Sequence, residues 1–297
     1  MLKGGKTFGE KRYAYLSILP VVLIVALFTV YPISYALWAS FRQIVFYQPY
    51  HTPFIGWGNY REVISSDYFR KAWETTLIYT GIALPSVSAM GLGIALLLNT
   101  KLKATGVLRV LILLPWAVPA VVSGILWGWI FNSTYGAFNG LLYSVGLIDK
   151  YIPLLSRAKT ALLCVVFAHI WKEVPLAAIL YLAGLQTIPN ELYDAAKVDG
   201  AGVFTCFRHV TVPLLKAIFL IVIIYETIIG VITFDLLYVM TGGGPGGTTS
   251  LISYFIYEEL FRAFNFGHGA ALSFILVVAM LALIIGYLKL LPRQEVY

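Results

Sequence analysis

Long stretches of apolar residues alternate with short polar segments along the chain, and the stretches share a length. The first covers about residues 14–41 and carries no charge. The others cover about 75–99, 107–131, 160–186, 212–240 and 268–288. A helix rises 1.5 Å per residue, so about 20 residues cross the roughly 30 Å hydrocarbon core of a bilayer. Every stretch reaches that length, and the pattern predicts six membrane-spanning helices. A secretory signal would have an apolar core of only about 7–15 residues and a small-residue cleavage site. The first stretch is far longer and follows Lys3, Lys6, Lys11 and Arg12, so it is expected to be retained as a helix.

The connecting segments differ in character. The one after the first span, about residues 42–74, is rich in Tyr, Trp and Pro, as suits a headgroup interface. The run Thr241-Gly-Gly-Gly-Pro-Gly-Gly-Thr248 cannot continue a helix, because glycine and proline both interrupt it, and it is expected to turn at the outer face. With the N-terminus inside, twelve Lys and Arg fall in inside segments: the first four, then Lys101, Lys103, Arg109, Lys197, Arg208, Lys216, Lys289 and Arg293. Eight fall outside, in longer loops: Arg42, Arg61, Arg70, Lys71, Lys150, Arg157, Lys159 and Arg262. Positive charge favours the cytoplasmic side, so six spans put both termini in the cytoplasm.

Composition narrows the class. The chain is 60% hydrophobic and 12% charged, where a soluble domain carries about a quarter charged residues. Its mean hydropathy is +0.83. Its solvent is therefore lipid, and the whole of 1–297 reads as one membrane domain. The net charge of +7 does not point to nucleic acid, since the basic residues are dispersed in short loops and form no basic face. They suit an anionic leaflet instead. Cys164 falls inside a span and Cys206 in a charged loop, so no disulfide is expected between them. The four histidines (His51, His169, His209 and His268) show no metal-binding spacing, and no metal site is expected.

Several charges fall at membrane depth. An ionisable group near the bilayer centre costs about 2.5–3.5 kcal/mol on insertion scales, so it faces a partner or a wet cavity. Glu226 lies midway along the fifth span, Asp235 about two and a half turns later, and Glu173 beside Lys172 within the fourth. One reading is a polar cavity in which these carboxylates accept hydrogen bonds from solute hydroxyls, with Thr233 as a further polar contact. In that reading Trp171, Tyr225 or Phe234 stacks on a sugar ring. The plainer reading has Lys172 and Glu173 pairing locally and Asp235 solvated near the surface.

Between the fourth and fifth spans, on the inner side, Pro189 and Asn190 are helix-starting residues and Glu191 and Asp194 suit a first turn. Leu192, Ala195, Ala196 and Val198 fit a short amphipathic helix over about 189–202, which Gly200 ends. Physics alone leaves open whether that helix rests on lipid or docks in a partner's groove.

This loop resembles the EAA motif of ABC-importer permeases, read here as Asp194-Ala195-Ala196, then Gly200, then Pro213 at the next span. Glu191-Leu-Tyr, Asp199-Gly-Ala and Phe207-Arg208 are similar to the carbohydrate branch of that family, of the maltose and glycerol-3-phosphate kind. So are Leu114-Pro-Trp-Ala-Val-Pro119, Gly136-Ala-Phe-Asn139 and Phe234-Asp-Leu-Leu-Tyr-Val-Met-Thr-Gly-Gly-Gly-Pro245, the last resembling the first permease rather than its partner. The likeness covers essentially the whole chain. Extra N-terminal spans and a large periplasmic insertion, which some maltose-type permeases carry, are missing from it.

The resemblance implies an all-α polytopic membrane protein of six transmembrane helices with the type I importer permease (MetI-like) fold, in a prokaryotic cytoplasmic membrane. It implies pairing with a second homologous permease, an ATPase dimer and an external solute-binding protein, with a sugar as solute. It further implies that Glu191, Asp194, Ala195, Ala196, Asp199 and Gly200 form the coupling contact with the ATPase. ATP and Mg would then be bound by that partner and not by this chain, which would be no enzyme itself. No GxxxxGK[ST] phosphate loop occurs: Gly5-Lys6-Thr7 only mimics its end, and the 241–248 glycine run has no Lys. Other solutes with the same fold are a polyamine, phosphate or glycerol phosphate. A secondary transporter using Glu226 and Asp235 for protons is the competing class, but no inverted repeat is evident.

Overall fold

The computed structural model describes residues 8–48, 50–100 and 105–290. Lys3, Lys6, Lys101, Lys103 and Arg293, used above for orientation, and the Gly5-Lys6-Thr7 sequence lie outside those residues. Helices and their connections make up the described chain. Its extended backbone pairs only at two isolated bridges, Arg42 with Phe54 and Val45 with Asn265.

In chain order, α1 (Phe8–Val25) and α2 (Tyr31–Ser40) are joined by a π-helical turn at Ala26–Val30. Pro32 has no N–H, and its ring would press on the carbonyl four residues back. The wider turn, in which the Tyr31 N–H reaches the Ala26 carbonyl, accommodates it. Then come α3 (Gly58–Ser65) and α4 (Asp67–Leu98). Ser66 caps α4 by accepting from the Phe69 N–H at 3.1 Å, which starts this span about two turns before the expected residue. α5 (Thr105–Ala117), α6 (Ala120–Ile130), α7 (Ala137–Ser144) and α8 (Ala158–Gln186) follow. The loop after α8 carries α9 (Asn190–Val198) and α10 (Val203–Cys206). A π-helical turn at Phe207–Thr211 leads to α11 (Val212–Leu214), α12 (Lys216–Ile232) and α13 (Asp235–Thr241). Finally α14 (Ile252–Tyr257) and a π-helical turn at Glu258–Arg262 precede α15 (Phe266–Leu290).

Four of these runs are straight enough and long enough to span, and two bent pairs complete the expected six. Bends within two of the six spans were not part of that expectation. The third span breaks by 90° between Ala117 and Ala120, because Val118 precedes Pro119 and proline disfavours helical backbone in the residue before it. The fifth bends by 67° at Leu215 and breaks again at Thr233 and Phe234 before α13 resumes. Neither glycine nor proline marks that second break. There Thr233 Oγ1 bonds back to the Ile229 carbonyl at 2.7 Å, and the Thr233 carbonyl accepts from Ser253 Oγ at 2.6 Å.

The chain divides into two compact units. The first comprises Met1–Ser65 and Ile256–Val277. Within it the buried Asn59 donates from Nδ2 to the carbonyls of Ser40 and Arg42, each at 2.8 Å. Arg42 lies over the Trp38 ring at 4.4 Å and donates to the Thr52 carbonyl at 2.8 Å. His268, at the start of α15, bonds Glu259 at 3.2 Å and Glu62 at 3.1 Å.

The second unit, Ser66–Phe255 with Val278–Tyr297, holds the main cores. α4 packs along α8, α12 lies on α4, and α13 lies on α6. At Gly91 the helices come so close that an added Cβ would sit 2.8 Å from the Ala177 Cβ, the small-residue contact expected between membrane helices. One apolar cluster centres on Tyr79, Val165 and Leu237, another on Val87, Tyr181 and Leu215. The glycine run ends α13 as expected, with Gly242 in the left-handed conformation at φ 55°.

Candidate functional site

On α8, His169, Lys172 and Glu173 are spaced i, i+3, i+4 and so share one helix face. That face, Ala120 of α6, the end of α12 and the broken segment Thr233-Phe234-Asp235 enclose a cavity of about 330 Å³. The break matters to the site. In a continuous helix Thr233, Phe234 and Asp235 would point in three directions, whereas here all three line one wall.

Inside the wall the charges are organised. Glu173 is 4% exposed, and its Oε2 accepts from the Tyr225 hydroxyl at 3.1 Å. Its Oε1 lies 3.6 Å from Lys172 Nζ. Lys172 also donates to the Trp116 carbonyl at 3.2 Å, in the last turn of α5. The local pairing of Lys172 with Glu173 is therefore present, and both residues still line the cavity. Asp235 is exposed at the first position of α13, where the helix dipole favours a carboxylate.

Of the tentative solute contacts, Glu173, Thr233, Phe234 and Asp235 are brought together in the lining. Glu226 is not part of it. It is 1% exposed, one layer behind, with Oε2 3.3 Å from Nε2 of His169. Tyr225 reaches the site only through its bond to Glu173. Trp171 packs edge-to-face on Trp127 at 5.6 Å and lies outside the lining. Phe234 stacks on Tyr238 at 5.2 Å and on Tyr254 at 6.2 Å, so its ring is part of an aromatic wall. His169 is the lining residue that sequence reasoning left among scattered histidines. Its spacing from Lys172 and Glu173 was the available signal.

The loop between α8 and α12 forms a second feature. α9 starts after Pro189 and ends before Gly200, whose φ of 83° a side chain would strain. Glu191 lies in its first turn. Asp194 bonds Lys197 at 2.9 Å, which raises the Lys197 pKa. Ala195 and Asp199 are exposed and Ala196 is half-buried. Leu192, Val198, Val203 and Phe204 are exposed apolar residues beside them. Tyr193 anchors the helix through a 3.0 Å bond to Thr211.

The family model described as "Binding-protein-dependent transport system inner membrane component" matches residues 71–293, which include both features. The chain belongs to this family. It is thus a membrane-embedded permease subunit of a transport system. The chain is 38% identical over 285 residues to the trehalose/maltose transport system permease protein of Thermococcus litoralis, covering 95% of this chain and 94% of that one. It is 34% identical over 290 residues to the sulfoquinovosyl glycerol transport system permease protein of Agrobacterium fabrum, covering 97% and 92%. The permease fold also matches one chain of a bacterial ABC transporter involved in the import of the acidic polysaccharide alginate. That match has a TM-score of 0.83 at 20% identity and covers 96% of each chain.

Proposed function

We propose that this permease carries a neutral sugar through the cavity between α8 and the α12–α13 break. It would do so as half of an ATP-driven importer's pore, with the whole chain acting as one permease domain. The observation that carries this reading is the make-up of the lining. Glu173, Asp235 and Thr233 accept hydrogen bonds from hydroxyls, and the Phe234 ring offers an apolar wall to the C–H face of a sugar. Lys172 is already engaged by Glu173 and the Trp116 carbonyl, so no uncommitted cation in the lining recruits phosphate or glycerol phosphate. A polyamine asks for several unpaired carboxylates, and of the two carboxylates in the lining only Asp235 makes no side-chain bond among the described residues. Relatives named for trehalose and maltose support the same solute class.

The remaining parts follow from this reading. A second homologous permease completes the pathway, an ATPase dimer docks against α9, and an external binding protein delivers the sugar. The nucleotide and Mg belong to the ATPase. Its closure would move α9 as a rigid body and switch the cavity between two faces of the membrane. Both chain termini lie in the cytoplasm. The test is uptake of radiolabelled trehalose and maltose by the assembled importer in lipid vesicles. Asp235→Asn and Phe234→Ala should each raise KM about fivefold or more while the ATPase subunit stays bound. Unchanged KM in both variants refutes the cavity as the solute site.

A further inference from the structure

Behind the cavity wall, His169 and Glu226 form a buried pair, 2% and 1% exposed, joined by the 3.3 Å contact of Nε2 with Oε2. The other carboxylate oxygen, Oε1, is buried and has no hydrogen-bond partner among the described residues. The Tyr79 ring meets the imidazole edge-to-face at 5.4 Å and supplies no charge. The nearby Lys172 and Glu173 pair with each other and cancel. His169 also lines the cavity, and its Nδ1 makes no hydrogen bond to any described residue.

A net charge left in such a place is costly, so the pair holds two exchangeable protons, the number at which its charges sum to zero. Two arrangements meet that condition without an unpaired buried donor, since a proton on Oε1 would find no acceptor. In one, an imidazolium faces a carboxylate. In the other, a neutral imidazole accepts from the carboxylic acid at Nε2. Both put a hydrogen on Nδ1. The arrangement with bare Nδ1, a neutral imidazole donating from Nε2 to a carboxylate, leaves a buried net charge and is disfavoured.

We infer that Glu226 is a positioning residue that keeps His169 turned with Nδ1–H as a hydrogen-bond donor into the cavity. Glu226 itself does not touch the solute. The donor complements the acceptors Glu173 and Asp235, so the site reads solute oxygens in both senses. This rests on the reading of the cavity as the solute site.

The experiment uses the assembled importer in lipid vesicles with ¹⁵N-labelled histidine, the His169 signal being assigned by difference against His169→Gln. Nδ1 should carry a bonded hydrogen in the unsubstituted protein. A bare Nδ1 overturns the inference without any solute being needed. Uptake of radiolabelled trehalose gives the second arm. In Glu226→Gln the amide N–H can donate to Nε2 and keep the hydrogen on Nδ1, so KM should stay within about twofold. Glu226→Leu removes the partner and should raise KM about tenfold with the ATPase subunit retained. Glu226→Leu at the original KM, or Glu226→Gln as damaging as Glu226→Leu, overturns the inference. If Asp235→Asn and Phe234→Ala leave KM unchanged, the cavity reading itself has failed. If they raise KM and Glu226→Leu does not, only the role of Glu226 has failed.

Discussion

Lys172 Nζ lies 3.2 Å from the carbonyl oxygen of Trp116, which ties the middle of α8 to the last turn of α5 just before the third span breaks. The same ammonium is 3.6 Å from Glu173. One side chain therefore satisfies a helix-end carbonyl and compensates a buried carboxylate in the cavity wall.

Removing that cation should cost stability as well as transport. Lys172→Met leaves Glu173 with only the Tyr225 hydroxyl and orphans the Trp116 carbonyl. The expected loss is about 1–3 kcal/mol, below the full figure for a buried pair because the lysine is partly open to the cavity. Thermal unfolding in detergent should show a lower Tm for Lys172→Met and a partial recovery in Lys172→Met with Glu173→Gln. A double variant no more stable than the single one contradicts the compensation.

Close packing of α4 on α8 gives a second prediction. Gly91→Ala places a methyl 2.8 Å from the Ala177 Cβ and 3.1 Å from the Ala178 nitrogen, so the helices must part. A cost of about 1–3 kcal/mol is expected. Gly93→Ala, two residues on, meets nothing within 4 Å and should be neutral or slightly stabilising. Equal Tm values for the two variants would remove the close approach as a stabilising contact.

Docking of α9 on an ATPase is best probed away from Gly200, because its φ of 83° strains most side chains placed there, whatever they touch. Ala195 is exposed and helical, so Ala195→Arg should leave the chain's own fold intact. If α9 docks in an ATPase cleft, the purified complex loses the ATPase, or keeps it with uptake abolished. Gly200→Asn, which tolerates the left-handed conformation, should retain both. A helix resting on anionic lipid would accept the added Arg without loss.

Orientation is tested with a membrane-impermeant thiol reagent on intact cells, in a background with Cys164→Ser and Cys206→Ser. Native Cys206 is a poor probe because it is buried. Tyr47→Cys, 73% exposed in the loop after α2, should label directly if both termini are cytoplasmic. Val203→Cys, 90% exposed in the loop between α8 and α12, should then label only after the membrane is permeabilised. The reverse pattern inverts the topology.

Much of this protein was readable without coordinates, for physical reasons that act locally. A bilayer imposes a length on every apolar run, so the spans stand out in composition alone, to within a few residues at four of the six. Pro189, Gly200 and the 241–248 glycine run act on their own backbone, and their helix start, helix end and turn all occur where expected. Charges at depth marked Glu173, Glu226 and Asp235 as candidates for a polar cavity, because an ion in hydrocarbon needs an explanation wherever it occurs; the first and last line one, and Glu226 does not.

Tertiary structure decided the rest. The break at Thr233 and Phe234 depends on Ser253, twenty residues away in sequence, competing for a carbonyl that a helix would otherwise keep. No local propensity reports such a contact. The placement of Glu226 depends on His169, fifty-seven residues distant, and it separates a buried pair from the cavity that composition alone had merged into one site. A sequence states which residues must find a polar partner in lipid; only the packing of α8 against α12 states which partner each one finds.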